Sequence, residues 1–198
     1  FYTRRIGRNP QGALPNADYY DVPVGTSILG AAKLTGKLSP TWNFGTLHAL
    51  TAREHAKLFE TGTRSEQEVE PLTYYGVMRA QKEFKKSQHG LGVMGTLVER
   101  QFDDPTLRDQ LSDQSALVGL DGWTFLDRKQ VWVLSGWSAM STIQGTAARM
   151  TTVQQNSRHY FQRPDADHVD VDPNATSLTG YGSRFWLNKQ SGSLFLNS

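Results

Sequence analysis

Hydrophobic and polar side chains alternate with a period of two along much of the chain, in segments that come in pairs. In residues 28–38, Ile28, Gly30, Ala32, Leu34, Gly36 and Leu38 fall on one face, and Lys33, Thr35 and Lys37 on the other. Successive side chains of a strand point to opposite faces, so this segment predicts a strand with a basic reverse side. Ser39-Pro40 predicts a tight turn; a second strand covers about 41–51, and the charged stretch 52–70 follows as a polar loop. The next pair is clearer. Tyr74, Gly76, Met78, Ala80 and Phe84 share one face; Tyr75, Arg79, Gln81, Glu83 and Lys85 share the other. Residues 86–89 turn the chain, Leu91, Val93, Gly95 and Leu97 continue the apolar face with Arg100 on the opposite parity, and an Asp-rich loop covers 101–114. A third hairpin runs over 115–126, turns at Asp127-Arg128-Lys129 and returns through 131–142, with apolar residues on both faces. The longest loop spans 144–177. A fourth hairpin begins at Leu178, sets Tyr181, Phe185 and Leu187 against Arg184 and Asn188, turns over 189–192 and starts a last strand at 194–197.

Short turns and long loops therefore alternate, which is the layout of outer-membrane barrels. The expected fold class is all-β: an antiparallel up-and-down meander forming part of a transmembrane β-barrel, with short turns on one side and long loops on the other. Loops this long are uncommon inside a compact domain. Trp42, Phe84, Phe125, Trp132, Trp186 and Phe195 lie close to short turns, and Tyr74, Tyr75 and Tyr181 lie near the long-loop end. Amphipathic rings prefer a water–hydrocarbon boundary, so two girdles are expected, although aromatics also favour strands in general. Glycines such as Gly30, Gly36, Gly76, Gly92, Gly95 and Gly119 sit inside the strand patterns, where they relieve curvature in a barrel or mark ordinary bulges in an open sheet.

Composition changes this picture little. A mean hydropathy of −0.52 and 37% hydrophobic residues average over two unlike faces and so do not exclude a barrel. The net charge of +2, from scattered Lys and Arg, argues against a nucleic-acid partner. The absence of cysteine excludes disulfides and thiolate metal sites. No apolar stretch has the length of a transmembrane helix. The chain opens at Phe1 without a signal peptide, and Ser198 falls inside an alternating segment. The expectation is a single partial barrel domain, 1–198, belonging to a longer protein.

Several phrases resemble a bacterial outer-membrane barrel domain of unknown function. They are the opening Phe1-Tyr2-Thr3-Arg4-Arg5-Ile6-Gly7-Arg8, the strand Ile28-Leu29-Gly30-Ala31-Ala32-Lys33-Leu34-Thr35-Gly36-Lys37, and Ala49-Leu50-Thr51-Ala52-Arg53-Glu54. The most distinctive is the loop phrase Tyr160-Phe161-Gln162-Arg163-Pro164-Asp165-Ala166-Asp167-His168, followed by Thr176-Ser177-Leu178-Thr179-Gly180-Tyr181. The resemblance covers nearly the whole chain. It implies an N-terminal module similar to family-nine carbohydrate-binding domains, an outer-membrane location, lipid and the missing strands as partners, and a link to glycan handling. It supplies no catalytic residues and no cofactor.

Candidate chemistry falls in three places. Asp165, Asp167, His168, Asp170 and Asp172, bracketed by Pro164 and Pro173, have the carboxylate density for a hard cation, but the order departs from a calcium loop; a solvated acidic tip paired with Arg158 or Arg163 is the plainer reading. The same loop could fold inward, where His159, Tyr160 and Arg163 would stack on a sugar or pair with an anion. Arg79, Glu83, Arg100, Asp121 and Arg184 are charges on or near strand interiors and should point to the barrel lumen, either pairing with one another or contacting a ligand to set selectivity. Arg4, Arg5 and Arg8 could bind phosphate or a lipopolysaccharide head group; pairing with Asp18, Asp21 or a missing neighbouring strand is the plainer reading. There is no nucleophile elbow at Ser135-Gly136-Trp137-Ser138, no Walker loop and no HExxH helix. Asp103-Asp104 would suit glycoside hydrolysis only if held across a cleft. Three functions follow: a structural or transport barrel segment, a soluble all-β carbohydrate-binding protein, and a membrane-embedded hydrolase.

Overall fold

The computed structural model describes residues 5–165 and 168–191. Its strands are β1 (Tyr19–Asp21), β2 (Ile28–Ser39), β3 (Trp42–Thr51), β4 (Glu54–Glu60), β5 (Thr63–Glu70), β6 (Leu72–Phe84), β7 (His89–Gln101), β8 (Gln114–Phe125), β9 (Trp132–Gln144) and β10 (Ser177–Lys189). Two short helices, α1 (Pro105–Gln110) and α2 (Ala147–Gln155), lie between β7 and β8 and between β9 and β10. The strands form an antiparallel seven-stranded sheet, in the order β10-β9-β8-β7-β6-β3-β2, and a three-stranded sheet, β1-β4-β5.

The period-two reading survives as facial segregation. Leu34, Thr46, Met78, Gly95, Val118, Met140 and Tyr181 lie in one cross-strand row. This face is open: Leu34 is 60% exposed, Met78 65% and Val118 60%. Lys33 and Arg79 take the opposite parity.

The barrel does not survive. Among the described residues β2 and β10 are the two edges of the large sheet and are not bonded to each other, so the sheet is open. Backbone N–H and C=O groups in hydrocarbon must all be paired, which allows a sheet to span a membrane only when it is closed. The barrel fold class is therefore corrected to two open antiparallel sheets. The outer-membrane location, lipid and missing barrel strands as partners, and the structural or transport role in a membrane are corrected with it.

Three of the expected loops hold structure. The stretch 52–70 is the hairpin β4–β5. Its alternation is hidden because charged residues occupy the exposed parity, while Ala56 (0% exposed), Leu58 (7%) and Val69 (0%) are buried. Leu14 and Ala17 pack against this small core. The loop 101–114 contains α1, started by Asp104, whose side chain accepts from Thr106 N, and by Pro105 in the first turn. An N-cap acceptor satisfies an orphan N–H, and proline at that point loses no bond. Residues before β1 thread between α1 and β5: Gly12 N donates to Val69 O at 2.8 Å, and a Cβ at Gly12 would lie 2.7 Å from Leu107 Cδ1. The loop 144–177 contains α2, capped by Thr146.

The β8–β9 turn is held by one carboxylate. Asp127 accepts from Trp132 N (2.8 Å), Val131 N (2.9 Å) and Lys129 N (2.9 Å). These bonds, that from Trp132 foremost, hold its pKa below the ordinary 3.8. A depressed carboxylate stabilises the fold above its unfolded pKa and loses that contribution as pH falls through the folded value. The stability gap between wild type and Asp127→Ala should therefore be constant above about pH 5 and shrink below pH 3.8. Urea midpoints measured across that range test it; a gap that does not shrink would remove this carboxylate as the cause.

Candidate functional site

The face opposite the apolar row carries a shelf of charged and aromatic side chains. At its centre Arg79 on β6 and Asp121 on β8 reach over β7 and meet in a two-pronged pair: Nη1 donates to Oδ2 at 2.7 Å and Nη2 to Oδ1 at 2.8 Å. Nη2 also donates to Gln81 Oε1 at 3.3 Å. The pair passes over Gly92, where a Cβ would lie 2.9 Å from Asp121 Oδ1 and 3.1 Å from Arg79 Nη2. The hydrogen bond to Asp121 raises the Arg79 pKa above its ordinary value, more than burial lowers it. Both side chains are about one-third exposed (32% and 31%), so the pair contributes little stability, about 0.2–1 kcal/mol. Its consequence is geometric: a fixed, partly exposed fork across β7.

Register sets the neighbours. Gln81, Gly92, Asp121, Trp137 and Arg184 form one row across five strands. Glu83, Gly90, Trp123, Ser135 and Trp186 form the adjacent row. Glycines seat the rings. The Trp123 indole lies over Gly90, where a Cβ would be 2.2 Å from Cη2, and Trp137 leans over Gly182 at 3.4 Å. Trp123 Nε1 donates to Ser87 O at 3.3 Å, and the Ser87 hydroxyl donates to Glu83. The Arg184 guanidinium sits 4.9 Å from the Trp186 ring centroid. Trp137 is 40% exposed and lies between Asp121 and Arg184.

Arg79, Glu83, Asp121 and Arg184 are thus gathered on one surface. Arg100 shares their parity but lies at the far end of β7, half-buried beneath the loops. The loop candidates stand apart from the shelf. His159 Nδ1 is 3.2 Å from Asn156 Oδ1, Tyr160 has a left-handed backbone (φ 51), and Arg163 pairs with Asp165 through two bonds of 2.8 Å. His168 is exposed, and Asp167 lies outside the described residues. Among the described residues no group of three or more His, Asp or Glu could hold a metal ion. Asp103 and Asp104 do not flank a cleft: Asp103 pairs with Arg53 at 2.7 Å and Asp104 caps α1.

The shelf tryptophans were not read as site residues from sequence. A signal was available: Trp123 is two residues from Asp121, and Trp186 two from Arg184, so each must share its neighbour's face. A second unforeseen group lies on the apolar face. The Tyr74 hydroxyl is 2.6 Å from His48 Nδ1, His48 Nε2 is 2.8 Å from Thr46 Oγ1, and Thr46 donates to Val77 O at 3.1 Å. With the Thr46 proton directed to a carbonyl, this chain is a satisfied polar relay rather than an activated nucleophile.

Fold and shelf together define an all-β domain of open antiparallel sheets with one apolar face and one face of mixed aromatic and charged groups. The chain belongs to the family described as a domain of unknown function, DUF5916, whose model matches residues 1–194. No curated protein matches the chain, and no solved structure matches it. The bacterial barrel domain with a preceding family-nine-like carbohydrate-binding module, suggested by the loop and strand phrases, is corrected accordingly: the match supports membership of this family and neither the barrel nor the module. The link to glycans through that module is withdrawn with it.

Proposed function

We propose that the chain is an all-β binding domain that takes a saccharide on the Trp137 shelf, the reading among the three that two open sheets support best. The observation that carries it is the placing of Trp137 between Asp121 and Arg184, with Trp123 and Trp186 in the next row. An indole offers an apolar face to the C–H side of a sugar ring. The Arg79–Asp121 fork, Gln81 and Arg184 offer fixed donors and acceptors for hydroxyl groups. Adjacent strands lie about 4.8 Å apart, so the span from Asp121 to Arg184 is roughly 10 Å, comparable to a disaccharide. A ligand on an open sheet face buries little surface, so affinity should be modest, with Kd between about 10 µM and 1 mM.

The test is titration with a panel of neutral and uronic-acid oligosaccharides, followed by tryptophan fluorescence and calorimetry. At least one member should bind saturably. Trp137→Ala and Asp121→Asn should each weaken it about tenfold, equivalent to roughly 1.4 kcal/mol. Trp132→Phe, on the opposite face, should leave it unchanged. Absence of saturable binding across the panel, or binding indifferent to Trp137→Ala, would overturn the reading.

A further inference from the structure

At the loop-covered end of the same face, two arginines from different elements converge on one serine. Arg100 on β7 donates from Nη1 to Ser112 O at 2.8 Å. Arg149, in the first turn of α2, brings Nε to 3.5 Å from Ser112 Oγ. Ser112 itself is 8% exposed. Arg100 Nε is buried without a hydrogen-bond partner. Buried N–H groups are nearly always satisfied, and an orphan on a charged group is rarer still.

The charge balance points the same way. Among the described residues, the ion pairs formed by Arg53, Arg79, Arg108 and Arg163 include neither Arg100 nor Arg149. Of the neighbouring acids, Asp113 is paired with Arg108, and Glu70 is the one carboxylate left to face Arg100, Arg8 and Arg149. Glu70 accepts from Gln11 N and Nε2, both at 2.9 Å, and Asp113 accepts from Arg108 at 2.7 Å. Arg8 adds a third positive charge to the neighbourhood. Burial lowers the pKa of both guanidiniums; at Arg100 the nearby Tyr75 and Glu70 offset part of this and Arg8 adds to it, and at Arg149 the positive charge of Arg100 adds to it. The positive charges facing this point come from the N-terminal segment, β7 and α2, and the facing acids are Glu70 and Asp113, with Tyr75 beside Arg100. Two half-buried like charges cost stability unless an anion joins them.

We propose that Arg100 and Arg149 form a binding site for a small oxyanion, a phosphate or a carboxylate. The guanidinium fork matches either group through paired N–H···O bonds, and the orphan Nε supplies one of them. This site is independent of the saccharide shelf and can fail or stand without it.

The experiment is calorimetric titration of the whole chain with inorganic phosphate and, separately, acetate, in chloride buffer at constant ionic strength, together with thermal unfolding. Saturable binding of phosphate or acetate and a rise in Tm are expected, and preference between the probes identifies the oxyanion. Arg149→Gln should weaken binding at least tenfold, yet unfold at the same or a higher temperature in chloride alone, because the repulsion on Arg100 is relieved. Should Arg149→Gln not fold, Arg149→Lys, which keeps the charge and loses the fork, should weaken binding while preserving Tm in chloride. No saturable binding of either probe, or equal binding in the variant that folds, would overturn the proposal.

Discussion

Glu68→Ala is expected to lower the unfolding free energy by roughly 2–5 kcal/mol, the cost of leaving two backbone N–H groups without their acceptor and Arg53 without one of its carboxylates. Glu68 is 3% exposed. Its Oε1 accepts from Arg53 Nε at 2.8 Å, and its Oε2 accepts from Asp103 N at 2.9 Å and Asp104 N at 2.6 Å. One carboxylate thus ties β5 to the β3–β4 junction and to the start of α1. Alanine leaves the Arg53 guanidinium with only Asp103 and the Gln101 carbonyl, and strands two backbone donors where Asp104 must cap the helix. Glu68→Gln keeps an acceptor and should cost less. Urea unfolding measures both; a loss below about 1 kcal/mol for the alanine variant would mean that water replaces the carboxylate without penalty.

Gly90→Val should remove the Trp123 platform. A Cβ at this position would sit 2.2 Å from Trp123 Cη2 and 2.4 Å from both Cζ2 and Cζ3. Three ring atoms at that distance cannot be relieved by a small rotamer adjustment, so the indole must leave its seat and give up its bond to Ser87 O. Forced overpacking costs about 1–3 kcal/mol. Two readouts separate the effects: urea unfolding reports the packing cost, and tryptophan emission with saccharide titration reports the shelf. Emission and saccharide affinity like those of the wild type would show that Trp123 is not held over Gly90.

Much of the large sheet was legible along the chain. Its strands form where a period-two pattern separates Leu34, Met78 and Val93 from Lys33 and Arg79. Turns fall where Ser39-Pro40 and Asp127 interrupt the pattern. These are local facts, since alternation follows from strand geometry and Asp127 bonds amides only a few residues away. The β4–β5 hairpin was not legible, because His55, Lys57 and Glu66 sit on its exposed parity and their charge conceals Ala56, Leu58 and Val69. α1 carried its Asp104-Pro105 start in plain view, but too few residues follow for a helical period to emerge.

The amino-acid order by itself determined the all-β character, the two unlike faces of the large sheet and the positions of the β2–β3, β6–β7 and β8–β9 hairpins, because backbone parity and turn chemistry act over neighbouring residues; the return strand expected at 194–197 lies outside the described residues. The tertiary structure alone decided that β2 and β10 remain separate edges, that Arg79 reaches Asp121 across a glycine in a third strand, and that Arg100 and Arg149 meet at Ser112. Each depends on how distant segments are staggered and packed, and closure in particular rests on strand tilt and shear, which a period of two does not encode.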